Sequence, residues 1–200
     1  MNGRNGARNR RAREQALIGA ASKLFASRGF EATTTREIAA KAGCSEGLIH
    51  RYFQSKAGLL LAIIQYRISQ EVADLSERVP ARNVQDEILQ LVEWEVDHMW
   101  GDREFLRVIL PRALLDKTLA EPISRIGPLQ RAKAIAERLR KFKECGSMTK
   151  EELEALGHFI GVMGFMFGFM RPVVLRHDRS RARKTAATIA SILARGLECY

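Results

Sequence analysis

The side chains of this chain best suited to chemistry are cations gathered near its N-terminus. Arg36, Lys41, Arg51 and Lys56 fall in one short stretch, interleaved with Thr35, Ser45, His50 and Tyr52. Such groups suit a polyanion: an ammonium takes a phosphate as a point charge, and a guanidinium can fork onto O6 and N7 of a guanine. Catalytic patterns are missing. There is no P-loop and no GxGxxG fingerprint, and the four histidines show no metal spacing such as HExxH. The expectation is therefore no catalytic residue, no cofactor and no metal.

Charge is concentrated where those residues lie. The first 60 residues hold 11 Lys and Arg against four Glu, a net +7, and the remaining 140 carry +3 of the total of +10. A compact basic module on a nearly balanced body predicts a polyanion partner for the small part. Hydrophobic residues at 46% and charged residues at 28% of 200 exclude a disordered chain and allow one or two domains with real cores. Cys44, Cys145 and Cys199 are far apart and odd in number, which predicts no disulfide framework and a reducing, cytoplasmic compartment. No apolar run follows the basic N-terminus, so it does not read as a secretory signal.

The elements that must position these residues are helices. Ala16, Leu17, Ala20, Ala21, Leu24 and Phe25 mark one helical face, stopped by Gly29. Thr34 and Glu37 form a capping box for a short helix ended by Gly43; Ser45 is the expected cap of the next, Glu46 to about Phe53, and Ser55 of a long one to about Arg78. Six helices follow residue 53, with Pro122 and Pro128 bracketing a turn, Thr149 and Glu152 forming a second capping box, and Ala186, Ile189, Ala190, Leu193 and Leu197 on one face of the last. The fold class is all-α: an N-terminal three-helix, helix-turn-helix domain and a C-terminal six-helix domain. The expected division is a disordered basic arm over 1–13, the helix-turn-helix domain over 14–58, and a larger helical domain over 59–200.

Thr35 to Arg51 meets the packing needs of a helix-turn-helix. Ala39 is small where two helices cross, Gly43 can take positive φ at the turn, and Ile49 closes the core with Ile38, Ala42 and Phe53. The run Phe30–Ala39, then Ala42-Gly43-Cys44-Ser45-Glu46-Gly47-Leu48-Ile49, then Tyr52-Phe53-Gln54-Ser55-Lys56 resembles the DNA-binding domain of TetR-family transcriptional regulators, closely over about residues 12–60. His50 stands where that family usually has Tyr, and Ala57-Gly58 replaces its usual polar pair.

The resemblance implies a recognition helix, Glu46–Phe53, entering the major groove. Glu46, Gly47, Leu48, His50 and Arg51 are then groove-facing, with Arg51 the base reader and Gly47 allowing close backbone approach. Arg36 stands where the family often places a groove contact. Thr35, Ser45, Tyr52 and Lys56 are the implied phosphate contacts. The five arginines of residues 1–13 are expected to lie in the minor groove. The partner is a double-stranded DNA operator.

Farther along, Ala155–Met170 carries no charge. It is about four residues short of a bilayer span and is flanked by Glu151, Glu152 and Glu154, so it reads as a covered helix and not a membrane span. Gly157, Gly161, Gly164 and Gly168 give it a smooth face, and the resemblance implies that the last two helices form a homodimer interface. Trp94, His98, Met99, Trp100, Phe105, His158, Met163 and Phe167 are the expected lining of a pocket for a small apolar effector. The function so read is a ligand-responsive regulator, a repressor that releases a palindromic operator when its effector binds. A helical enzyme and a non-specific architectural DNA binder are the alternatives.

Overall fold

The computed structural model describes residues 3–196. Its helices are α1 (Gly3–Arg28), α2 (Thr35–Lys41), α3 (Gly47–Phe53), α4 (Lys56–Glu77), α5 (Val84–Gly101), α6 (Arg103–Leu115), α7 (Lys117–Ile126), α8 (Pro128–Leu139), α9 (Lys150–Gly164) and α10 (Arg179–Gly196), with no strand among the described residues. Leu197 and Cys199, named above, lie outside them. The chain forms two compact units. The first takes the residues up to Arg67 with Glu104–Ile123; the second takes Ile68–Arg103 with the residues from Ser124 onward. The boundary expected at residue 58 follows chain order, whereas the units follow contacts, so residues 104–123 belong with the first.

In the first unit, Leu17, Ala20, Ala21, Leu24 and Phe25 bury one face of α1, and α2 packs on it. Gly29 ends α1 at φ +82° and Gly43 turns the chain between α2 and α3 at φ +63°, conformations that a Cβ penalises. The capping box forms as expected: Glu37 N–H donates to Thr34 Oγ1 at 3.2 Å, and Thr34 N–H donates to the Glu37 carboxylate at 2.9 Å. Ile38, Ala39 and Ile49 are sealed; Ala42 and Phe53 are half-buried.

Some expectations are corrected. The basic segment is helical from Gly3, not disordered up to Arg13. Its alanines and arginines favour helix, Arg10 pairs with Glu14 one turn on at 2.7 Å, and the Arg10 guanidinium sits 5.2 Å from the Tyr52 ring centre. Ser45 does not cap α3 with its side chain. Glu46 occupies the cap position in helical conformation, and the Ser45 carbonyl accepts from Leu48 N–H at 3.1 Å. The start of α4 is tight, with Gln54 at φ +67° and Gly58 N–H donating to Ser55 Oγ at 3.0 Å. A Cβ at position 58 would lie 1.9 Å from the Phe53 carbonyl oxygen, so this turn requires the glycine. A further short helix, α7, stands where Pro122 and Pro128 were expected to bracket a turn. Asp116 caps it, accepting from Thr118 N–H at 2.9 Å, and the helix continues past Pro122.

The second unit is built around α5, which packs on α9 and α10, while α8 packs on α9. Ile88, Leu91, Val92 and Val96 of α5 meet Ile135 and Leu139, Leu153 and Ile160, and the stripe Ala182, Ala186, Ala190, Ala194 in one core. The Thr149–Glu152 capping box starts α9 as expected. Beyond Gly164 the helix widens into a π-helix, Phe165–Val174, in which Leu175 N–H reaches back five residues to Met170 O at 2.9 Å. Pro172 has no N–H to offer the tighter ladder. Lys150–Val174 is therefore 25 residues of continuous helix, long and apolar enough by length and composition to cross a bilayer, which corrects the length argument above. Half of its apolar window is buried inside the unit, the pattern of a core helix.

The glycines of that helix face inward. A Cβ at Gly157 would meet Ala132 O at 2.3 Å, one at Gly164 would meet Glu95 Cβ at 2.6 Å, and one at Gly168 would meet Val96 O at 2.3 Å. They let α9 and the π-helix approach α8 and α5 of the same chain; only around Gly161, of these four, is the space open. The exposed apolar residues are different ones: Phe159, Val162 and Met166 along one face, and Ile192 on α10.

Candidate functional site

The first site is the outer face of α2 and α3. Arg36, Ser45, Glu46, Gly47, His50 and Arg51 are exposed, and Leu48 is half-buried. Ile49 is the inward anchor that turns its neighbours outward. Neither Arg36 nor Arg51 has a hydrogen bond or ion pair among the described residues. Two cations on adjacent helices are therefore left uncommitted by the fold. His50 Nδ1 lies 3.3 Å from Gln54 O, at the end of its own helix.

Three of the four implied phosphate contacts are held within the fold. Thr35 Oγ1 donates to Glu46 Oε1 at 2.6 Å, tying the start of α2 to that of α3. Tyr52 is half-buried, edge-on to Phe53 at 6.2 Å and covered by Arg10. Lys56 Nζ donates to Phe30 O at 2.9 Å and Thr33 O at 3.0 Å and sits 4.4 Å from the Phe30 ring centre. Lys56 thus spends two of its three N–H groups clamping the α1–α2 connection. Arg112 of α6 holds the same connection, paired with Glu31.

The second site lies in the second unit, and the expected pocket residues are only partly brought together there. Trp94 stacks on His98 at 5.2 Å; Met99, Met163 and Phe167 are buried in the unit; Trp100 is flanked by Arg103 and Arg179. His158 is exposed and Phe105 belongs to the first unit, under Arg67. The reason is helical phase for His158, which lies on the outer face of α9, and the helix break at Asp102 for Phe105. A groove of about 420 Å³ elsewhere in the unit is lined by Ser69, Val72, Gln130, Lys133, Ala134 and Glu137, none of them expected.

What His98 joins is a charge cluster. Its Nε2 lies 2.9 Å from Glu71 Oε1 and 3.7 Å from Asp102 Oδ2. Arg131 of α8 binds the other Glu71 oxygen, and its Nε lies 3.3 Å from Glu95 Oε1. Burial drives the Glu71 carboxyl upward, but His98 and Arg131 outweigh it and hold the group down at about 2. Burial works against protonated His98, and Glu71 and Asp102 together overcome it, so His98 is raised. Glu95 has no exposure at all, and burial pushes it up to about 7 against the pull of Arg131 and His98. Sequence reasoning missed Glu71, Glu95, Asp102 and Arg131. The available signal was the spacing Glu95, His98, Asp102, which puts all three on one face of α5.

Residues 17–63 match the family model described as bacterial regulatory proteins, tetR family. That match falls on α1 to α4, on the capping box, glycine turn and exposed α3 just described. The N-terminal helices therefore match the DNA-binding domain of TetR-family proteins. Its sequence is 29% identical over 110 residues to YerO of Bacillus subtilis, an uncharacterised HTH-type transcriptional regulator, covering 52% of this chain and 37% of YerO. The chain spans about half or less of the length of the curated relatives it matches. A TetR-family structure from Rhodococcus sp. superposes with a TM-score of 0.73 at 18% identity, covering 90% of this chain and 97% of that one. FadR of Bacillus subtilis, solved with stearoyl-CoA, superposes at 0.62 and 15% identity, covering 88% and 97%. At those identities the structures show a shared fold.

Proposed function

We propose that this protein is a DNA-binding transcriptional regulator of the TetR family, a repressor that leaves a palindromic operator when a small effector binds its second unit. The observation that carries the reading is the pair Arg36 and Arg51, exposed and uncommitted beside Gly47 on helices whose caps and core are otherwise complete. Arg51 reads a base, and the basic face of α1 adds charge along the backbone. A regulator of this kind works on DNA in the cytoplasm. The test is footprinting with excess competitor DNA. A sharp protected palindrome supports the reading; uniform coverage favours an architectural binder.

Two half-sites call for a twofold-symmetric dimer. Phe159, Val162, Met166 and Ile192, exposed on α9, the π-helix and α10, support an interface on those helices. The double variant Val162→Glu, Ile192→Glu should be monomeric by light scattering and keep its helical content. A monomeric wild type at micromolar concentration contradicts the reading.

The effector reading draws on the aromatic and methionine residues near His98 and on the neighbouring FadR structure, which holds stearoyl-CoA. An effector moves the equilibrium only by its preference for one state, typically about 1–3 kcal/mol. Compounds that raise the melting temperature should change operator affinity; if none does, the coupling fails.

A further inference from the structure

We propose that the second unit binds a divalent transition-metal cation, of the zinc and cobalt class, through Glu71, His98 and Asp102. The ligand atoms of these three residues lie within 4.8 Å of one another. Ligands of a tetrahedral ion at about 2.0–2.1 Å stand roughly 3.3 Å apart. The two separations from His98 Nε2, 2.9 and 3.7 Å, bracket that value. One imidazole and two carboxylates with a place for water suit a borderline cation.

Hydrogen bonding does not account for the cluster. His98 Nε2 is close to Glu71 Oε1, yet buried with no aligned hydrogen-bond partner. Glu95 is fully buried, on the same face of α5, and neither of its oxygens has a hydrogen bond. Arg131 Nε stands 3.3 Å from one Glu95 oxygen, but a buried carboxyl without an aligned hydrogen bond is still costly. A cation held by His98, Glu71 and Asp102 adds positive charge beside Arg131, and a water on that cation supplies a donor.

The surroundings are those of a braced site. Arg131 binds one Glu71 oxygen and leaves Oε1 for the cation, as outer-shell partners do. The Trp94 ring, stacked at 5.2 Å, fixes the plane of the imidazole. Gly164 closes the other side, since a Cβ there would lie 2.9 Å from Glu95 Oε2. His98 and Asp102 keep side-chain exposures of 23% and 15%, which gives a cation a way in.

The proposal deepens the reading of the second unit as effector-binding, but its test uses no DNA, so the two fail separately. The full chain is stripped with chelator and titrated with Co²⁺, then with Zn²⁺ as competitor. One Co²⁺ per chain should bind with visible d–d absorption and be displaced by Zn²⁺. Asp102→Asn, at a half-buried position, and His98→Ala should each weaken binding at least about tenfold, whereas His177→Ala should not. Zn²⁺ should raise the melting temperature of the wild type and not of His98→Ala. Absence of saturable Co²⁺ absorption, or affinity unchanged in both ligand variants, overturns the proposal.

Discussion

Arg51 and Arg138 are both arginines on amphipathic helices, and the two units use them in opposite ways. Arg51 is exposed on α3 with no partner among the described residues. Arg138, on α8, is 5% exposed; it pairs with Glu87, itself 1% exposed, and donates to the carbonyls of Leu75 and Arg78 at 2.8 Å and Val79 at 3.1 Å. Glu87 completes its shell by accepting Ala81 N–H at 2.7 Å. The first unit leaves Arg36 and Arg51 outside its apolar core, available to a polyanion. The second encloses charges, where each must be matched inside the protein. The same residue type is a recognition element in one and an internal strut in the other, and burial with its partner set makes the difference.

That contrast breaks most visibly at Arg138. Arg138→Met strands the Glu87 charge in the core and should cost about 3–5 kcal/mol in denaturant unfolding. Glu87→Gln together with Arg138→Met should recover a good part of that loss. If Arg138→Met alone is near neutral, the strut is not holding the fold.

Lys56 tests whether the first unit is as free of internal charge as the comparison says. Its two carbonyl bonds predict that Lys56→Ala lowers stability by roughly 1.5–3 kcal/mol. Affinity for operator and random DNA should fall alike. A pure affinity loss at unchanged stability would return Lys56 to the role of phosphate anchor.

Arg51→Ala should leave stability unchanged. It should cost about 1–3 kcal/mol on the operator and little on random DNA, relaxing one base pair per half-site. Equal losses on both DNAs would remove Arg51 from base reading.

The smallest effect concerns pH. Glu95 is pushed up to about 7 by burial, above an ordinary value of 4.5. Its folded-state contribution is fully present below that ordinary value and is lost as pH rises through 7. His98, raised above 6.5, adds a loss in the same direction at higher pH. Melting temperatures of the metal-free chain should fall between pH 5 and 8, and Glu95→Gln should flatten the part below 7. At this chain length about 2–4 °C corresponds to each kcal/mol. A wild-type profile already flat would mean that Glu95 is not buried in solution.

Much of the first unit was legible in the chain. The Thr34–Glu37 box, Gly29, Gly43 and the Ala39–Ile49 contact act between residues close in sequence, so type and spacing are enough to place them. The same holds for the Thr149–Glu152 box that starts α9. The pocket was less legible. His98 and His158 are both histidines on apolar helices, and only helical phase within a packed unit decides that one meets Glu71 and the other meets solvent. The four glycines of α9 and the π-helix read as a smooth face. Which helix takes that face depends on Ala132, Glu95 and Val96, none of them near in sequence.

The amino-acid sequence by itself determined the all-α class, the helix-turn-helix, its caps and turns, and the excess of cations at the N-terminus. These rest on backbone sterics, short-range hydrogen bonds and charge, which act locally. Only the tertiary structure decided which charges go inside. Arg138 with Glu87, Lys56 with the Phe30 and Thr33 carbonyls, and Glu71 with His98 and Arg131 are partners separated by tens of residues. Enclosing a charge is tolerable only where such a partner already stands, and that is settled by how the helices pack.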